Sequence, residues 1–236
     1  MSQVLSVKIL SGTITRSILS GISTHTGDAM KQKHFVSLLG LLAIAAVGMP
    51  SAIAADNPTS WYAGVGVGQA KAPGACDTGS IPGVTITSCT NNDTGWKLFG
   101  GYQFTVNWGA EVAYADFGRP LRATATVLGV PVSVVGKAKG WQLAGVGTYP
   151  INDQFSIFGK VGAFRSDVTV SAAGGGVGVS LSGNHTDFTY GIGATWNFTK
   201  NVGAQLEAQR FNNVGDKNTT GQENINLYTL GLVVRF

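Results

Sequence analysis

The chain has 236 residues, 34 of them glycine, with 44% hydrophobic and 12% charged residues. Glycine without a G-x-y repeat excludes a collagen helix, the apolar and aromatic content excludes a disordered chain, and two cysteines are too few for a disulfide scaffold or a four-cysteine zinc site. The formal charge of +4 is uneven: four basic residues and one acid precede residue 55, leaving twelve basic and eleven acidic residues in a nearly neutral body with no electrostatic case for a nucleic-acid partner.

Residues 1–29 read as neither an apolar segment nor a compact domain. They are taken as an upstream extension, arising from a start-site error or forming a long lead into the next segment. Met30-Lys31-Gln32-Lys33-His34 is a basic opening, Phe35 through Met49 is uncharged and apolar, and Ala52-Ile53-Ala54 is small. That order makes residues 30–54 a secretory signal peptide, cleaved after Ala54. Its apolar core of about 15 residues is short of the ~20 that a membrane-spanning helix needs. The folded domain is expected over residues 55–236.

From residue 60 the hydrophobic pattern has period two, the signature of strands with two unlike faces. The first strand is Trp61–Ala70. The second, Thr94–Phe104, sets Trp96, Leu98, Tyr102 and Phe104 against Lys97, Phe99, Gly101 and Gln103. In the third, Trp108–Phe117, Ala110, Val112 and Tyr114 oppose Gly109, Glu111, Ala113 and Ala115. The fourth runs from about Val132 to Tyr149, with Trp141 and Leu143 opposite Gln142 and Ala144. The fifth starts at Gln154; Ile157, Val161 and Ala163 oppose Ser156, Lys160 and Gly162, with Phe158 and Phe164 on the mixed side. The sixth is His185–Phe198. The seventh is Val202–Phe211, with Leu206 opposite Gln205, Glu207 and Gln209. The eighth, Asn226–Phe236, has Tyr228, Leu230, Leu232, Val234 and Phe236 on one face. Mixed faces rich in glycine leave room for large neighbours or mark bends.

The connections alternate in length. Residues 105–107, 150–153 and 199–201 are short; 71–93, about 118–131, 172–184 and 212–224 are long. Short turns at one end and long loops at the other describe an all-β, eight-stranded antiparallel up-and-down transmembrane β-barrel with short periplasmic turns and long extracellular loops. Closure is required because a sheet edge in hydrocarbon would leave backbone donors and acceptors unpaired. Such a barrel places the protein in the Gram-negative outer membrane with both termini periplasmic. The alternating apolar faces then meet lipid, and Tyr228, Leu230, Leu232, Val234 and Phe236 are the lipid-facing terminal strand. Trp61, Phe104, Trp108, Tyr149, Phe155, Trp196, Phe198 and Phe236 cluster near the short turns as an interfacial girdle.

Charged residues on the inward faces are Lys97, Glu111, Lys160, Glu207 and Arg235, and Gln103, Gln142, Gln205 and Gln209 accompany them. Facing lipid, each charge would cost kilocalories; inside, opposite signs pair in a polar network. Its expected role is structural, with a small ion-conducting channel or gated pore as the alternative. Cys76 and Cys89 bracket much of the first long loop, and export to an oxidising compartment lets them form a disulfide. Residues 121–136 and 167–183 are expected to extend strands beyond the bilayer, turning near Gly129-Val130-Pro131 and at Gly174-Gly175-Gly176. His185, Asp187 and Ser182 lie close in sequence but lack a nucleophile turn. No catalytic residue, cofactor site or metal site is assigned, and the chain is expected not to be an enzyme.

Several stretches carry a family resemblance. They are Trp61-Tyr62-Ala63-Gly64, GYQFTVNWGAEVAYADFGR at 101–119, YPINDQFSIFGKVGAF at 149–164, FTKNVGAQLEAQRFNNVGD at 198–216 and LGLVVRF at 230–236. Together they resemble the transmembrane domain of the outer membrane protein A family across nearly all of residues 60–236. The resemblance implies an eight-stranded barrel with surface loops and an interior polar network in which Glu111, Lys160 and Glu207 match. It is to the barrel alone, without that family's periplasmic peptidoglycan-binding domain. The implied function is a non-enzymatic envelope protein acting structurally and through its extracellular loops. Expected partners are outer-membrane lipids and lipopolysaccharide, periplasmic chaperones and the barrel-assembly machinery during export, and a host or envelope ligand at the loops. A monomer is expected.

Overall fold

A computed structural model describes residues 7–9, 12–14, 60–77, 84–127 and 129–236. Residues 30–54, read above as a signal peptide, and most of the 1–29 extension lie outside these. Near the start of the chain β1 (Val7–Ile9) and β2 (Gly12–Ile14) form a short antiparallel pair that the sequence reading did not anticipate.

The remaining strands are β3 (Ser60–Lys71), β4 (Val84–Thr90), β5 (Asn92–Gln103), β6 (Trp108–Asp116), β7 (Leu121–Val127), β8 (Val130–Pro150), β9 (Phe155–Gly174), β10 (Val177–Asn197), β11 (Val202–Val214) and β12 (Glu223–Arg235). Eight of them form a ring in the order β3, β5, β6, β8, β9, β10, β11, β12. The ring closes where β12 pairs antiparallel with β3, from Arg235 opposite Tyr62 to Asn226 opposite Lys71. The ladder continues one residue further, because the Phe236 N–H donates to the Trp61 carbonyl at 2.9 Å. Every neighbour in the ring is antiparallel, so the barrel is up-and-down.

Period-two patterning separates the faces. Outward side chains are large and apolar: Trp141 is 59% and Leu143 61% exposed, as are their counterparts Val161, Ile192, Leu206 and Leu230 around the ring. Inward residues at the same levels are buried. Aromatic side chains fall in two belts. Toward the short turns, Trp61 packs on Tyr102 and Tyr102 on Phe104, and Trp196 packs between Phe155 and Phe198. Toward the long loops, Trp96, Tyr114 and Trp141 make a continuous ridge with centroid spacings of 5.6 and 5.2 Å. Trp141 and Tyr149 mark the two belts on β8, roughly 26 Å apart along the strand at ~3.3 Å per residue. Strand tilt brings that span close to an outer-membrane hydrocarbon layer of about 25 Å.

Above the upper belt the structure does not dissolve into loops. β9 and β10 stay paired up to Gly174 opposite Val177. Their turn uses Gly175 and Gly176, both at positive φ (59° and 82°), which a two-residue hairpin with the native twist requires. The upper half of β8 pairs with β9 on one side and with β7 on the other. β4 then adds to β7, so the extracellular part is a five-stranded sheet, β4-β7-β8-β9-β10. The extensions over 121–136 and 167–183 therefore form as expected. β4 is a difference, since residues 71–93 read as a loop. Its uncharged, β-branched sequence VTIT is strand-prone, but its partner β7 is far away in the chain.

Two clamps hold this sheet to the barrel. The Cys76–Cys89 disulfide joins the turn after β3 to β4, with Cα atoms 5.9 Å apart. The second is Asp93, near the extracellular end of β5. Its carboxylate accepts hydrogen bonds from the Arg119 N–H (2.8 Å) and the Arg122 guanidinium (2.7 Å), tying β5 to β7. Gly118, at φ 67°, makes this possible: a side chain there would strike the Thr94 carbonyl and the Asp93 carboxylate. Partial burial works to raise the Asp93 pKa, but the Arg119 and Thr94 N–H groups and the Arg122 charge outweigh it and hold the carboxyl below its ordinary value of 3.8. A depressed carboxyl stabilises above its unfolded pKa and loses that contribution as pH falls through the folded value. Asp93→Asn is thus expected to make the β4–β7 region more sensitive to protease at neutral pH. The gap to wild type should close as pH falls below 3.8, read by hydrogen exchange of β7 amides.

Candidate functional site

The barrel interior is built from alternate residues of all eight strands, and small residues make its large ones possible. The Phe99 ring lies where a side chain on Gly64 would stand, and the Phe158 ring occupies the same place over Gly193. These rings line a compartment holding four charges.

Lys160 is central. Its Nζ lies 2.7 Å from both Glu111 carboxylate oxygens and 3.1 Å from Glu207 Oε2. Lys97 Nζ donates to Glu207 Oε1 at 2.6 Å and to Gln209 Oε1 at 3.1 Å, and is 3.9 Å from Glu111. Two cations and two anions therefore form one alternating cluster, with Lys97 and Glu111 each only 1% exposed. Gln205 donates to Glu207 at 2.9 Å, and Gln209 donates to the Thr189 hydroxyl, which donates to the Arg210 carbonyl. Both ammonium groups also sit over aromatic rings. Lys160 is 5.1 Å from the Phe99 centroid and 4.9 Å from that of Phe158; Lys97 is 5.4 Å from Phe99. The ring faces supply attraction that water would otherwise give.

Three residues expected in this network lie outside it. Gln103 sits at the periplasmic lip, where its Nε2 donates to the Val106 carbonyl of the adjacent turn. Arg235 is also at that lip and donates to Asn197 Oδ1. Gln142 is buried at 2% exposure, yet neither its Oε1 nor its Nε2 has a hydrogen-bond partner among the described residues. Its place on β8 opposite Ala113 and Phe164 puts it among apolar neighbours. The sequence reading passed over Tyr62, whose hydroxyl donates to Glu111 at 3.2 Å. Its parity with Gly64, Gly66 and Gly68 is the signal that marks it as inward.

Toward the extracellular end the interior becomes apolar. Phe117, Phe164 and Phe211 meet edge to face, with centroids 4.6 to 5.6 Å apart. Ala70, Leu121, Ile225 and Leu227 pack with them. The charged cluster is thus capped by an aromatic trio. His185 and Asp187, considered above for catalysis, are 3.9 Å apart on the extracellular part of β10. Asp187 is engaged by Asn213 at 2.6 Å and by the Phe188 N–H at 2.7 Å.

A closed ring of eight antiparallel strands, apolar outside and polar within, belted by aromatics and turning shortly at one end, is an integral outer-membrane β-barrel. Residues 55–236 match the OmpA-like transmembrane domain, and the chain belongs to that family. It is 32% identical over 202 residues to outer membrane protein A of Shigella flexneri, covering 83% of this chain and 54% of that protein. The Salmonella typhi protein of the same name is 32% identical over 200 residues, with the same coverage. The chain spans about half the length of the curated relatives it matches. Among solved structures, Ail of Yersinia pestis in complex with the heparin analogue sucrose octasulfate aligns at a TM-score of 0.48 and 18% identity, covering 76% of this chain and all of that one. The protein is a non-enzymatic barrel of the Gram-negative outer membrane, in contact with its lipids, with the short-turn end facing the periplasm.

Removing one charge from the cluster leaves its partners buried and unpaired, a loss of about 3–5 kcal/mol. Lys160→Met and Glu111→Gln are each expected to lower the urea midpoint of the barrel in lipid vesicles. The double variant should lose less than the sum of the two, because both members of the closest pair go together. Tryptophan fluorescence against urea measures it.

Proposed function

We propose that this protein is a membrane-embedded pedestal that holds a rigid β-sheet above the outer membrane as a contact surface for a host or envelope partner. The observation that carries this is the continuity of β8, β9 and β10 from the barrel into the extracellular sheet. β9 alone continues past Arg165 to Gly174, roughly 30 Å of strand. A surface held by strands, a disulfide and the Asp93 clamp is pre-organised, so binding would cost little ordering entropy. Val177, Val179 and Leu181 on β10 are exposed there. A structural role in the envelope follows from the same rigidity.

The same reading has residues 30–54 removed as a signal peptide and residues 1–29 as an upstream extension. Periplasmic chaperones and the barrel-assembly machinery would deliver the unfolded body, since its apolar outer face cannot remain in water. Closure without a free edge in the bilayer supports a monomer. The conducting alternative is opposed by the mutual pairing of the interior charges and by the contacts among Phe117, Phe164 and Phe211 toward the extracellular end.

Two measurements test this. Replacing residues 122–135 and 168–182 with tight turns should leave the barrel folded, by its heat-dependent gel shift, and abolish attachment of intact cells to host matrix or loss-of-protein rescue of envelope integrity. Unchanged attachment and integrity with a folded barrel would refute the pedestal. In planar bilayers the full chain should give no stepwise conductance, and reproducible steps altered by Glu111→Gln would restore the pore.

A further inference from the structure

The extracellular sheet has two unlike faces. Ile86, Ala125, Val132, Gly174 and Val177 run in register across it. One row nearer the membrane are Ala123, Val134, Ala172 and Val179, and below them Leu121, Gly136, Val170 and Leu181. From Val168 upward this face carries no charged residue among the described residues. The alternate positions are polar. Thr124 pairs with Ser133, Arg122 stands on the same side, and the Ser171 and Ser180 hydroxyls are 3.2 Å apart.

The apolar face looks across the barrel mouth, because its residues keep the parity of the lumen-facing Gln142 on β8 and Phe164 on β9. Its foot is covered. Leu121 and Ala138 belong to the same packed cluster as Phe164 and Phe211. Ala72 and Ala75 after β3, and Val214 at the end of β11, close over it and leave an apolar recess of about 40 Å³. Higher up the cover ends: exposure climbs from 6% at Val170 to 54% at Val179 and 68% at Val177. An antiparallel sheet commonly shows water one face and packs the other. Here the face with the composition of a core is left bare, which marks an interaction surface.

We infer that this face packs against the same face of a second copy of the chain standing in an opposing membrane. The inference rests on the pedestal reading and names its partner. Direction excludes a neighbour in the same leaflet, which meets the outer wall of the barrel or the polar face of the sheet. Only a molecule descending from above reaches the apolar one. Charge selects a second copy. A face without charge offers nothing to a charged partner, and its complement is another uncharged apolar sheet laid about 10 Å away. A two-fold axis parallel to the membranes supplies that contact from identical surfaces. Each sheet then stands over the other's mouth, and both polar faces stay in water. Five strands ~4.8 Å apart, each contributing about six residues at ~3.4 Å, make a face roughly 20 Å square, on the order of 800 Å² over both copies. Stable pairs bury ~1,200–2,000 Å², so one contact is weak. Many such contacts between two membranes hold together by avidity.

The test reconstitutes protein isolated from outer membranes, sheet outward, into two populations of phosphatidylcholine vesicles carrying donor and acceptor dyes. Mixing should cluster the vesicles, read by turbidity and energy transfer, only when both populations carry protein. V177E/V179E in both populations, with its gel shift unchanged, should lower clustering at least about tenfold, and so should V177K/V179K in both. Mixing the glutamate variant with the lysine variant should restore it, because opposite charges then meet across the contact. Dispersed wild-type vesicles, or clustering with protein on one side alone, would overturn the second copy. Clustering unchanged by V177E/V179E, or no recovery in the mixed pair, would overturn the face-to-face contact. Failure of the pedestal reads differently. Dispersed vesicles, alongside intact cells whose attachment or envelope integrity still needs both hairpins, refute the second copy and leave the pedestal in place.

Discussion

The structure depends on one constraint: within hydrocarbon, each backbone N–H and C=O must find a partner inside the protein. A sheet meets that demand only by pairing its last strand with its first, as β12 does with β3. Much else follows. The outer face must be apolar, since it meets lipid, and the inner face receives whatever lipid rejects. Eight strands enclose little space, so inner side chains must fit one another closely. The glycines opposite Phe99 and Phe158 are the sequence-level trace of that crowding.

Inside so small a volume, charge cannot be left to water. Lys97, Glu111, Lys160 and Glu207 meet this by mutual coordination, with two ammonium groups and two carboxylates interleaved and aromatic faces closing the remaining sides. A buried cluster of this kind is not by itself a source of large net stability, because desolvation offsets attraction. What it supplies is mutual dependence, since no member can leave without stranding the rest. Gln142 shows the contrasting case, a polar side chain with apolar neighbours and no hydrogen-bond partner among the described residues.

Above the bilayer the constraint lifts. Water can satisfy a strand edge there, so β4 and the upper part of β10 end the sheet without closing it. Free of the ring, the strands differ in length, and the sheet needs other means to stay in place. The disulfide and the Asp93 contacts provide them at one side, and β8, shared between barrel and sheet, provides continuity at the other.

The division between what sequence and structure decide follows the same boundary. Alternation along the strands was enough to put Leu230 in lipid and Glu207 inside, because period two is a property of the backbone and each charge has one tolerable face. The turn glycines and the cysteine pair were likewise legible locally. The sequence alone could not say which charge takes which partner, that Gln103 and Arg235 bond at the lip, or that Gln142 lies among apolar side chains away from the charged cluster. Those depend on the shear between strands distant in the chain, which moves side chains up or down the lumen without changing their face. β4 and the aromatic trio are of the same kind. Their residues come together from different strands, and only the closed tertiary arrangement sets their distances.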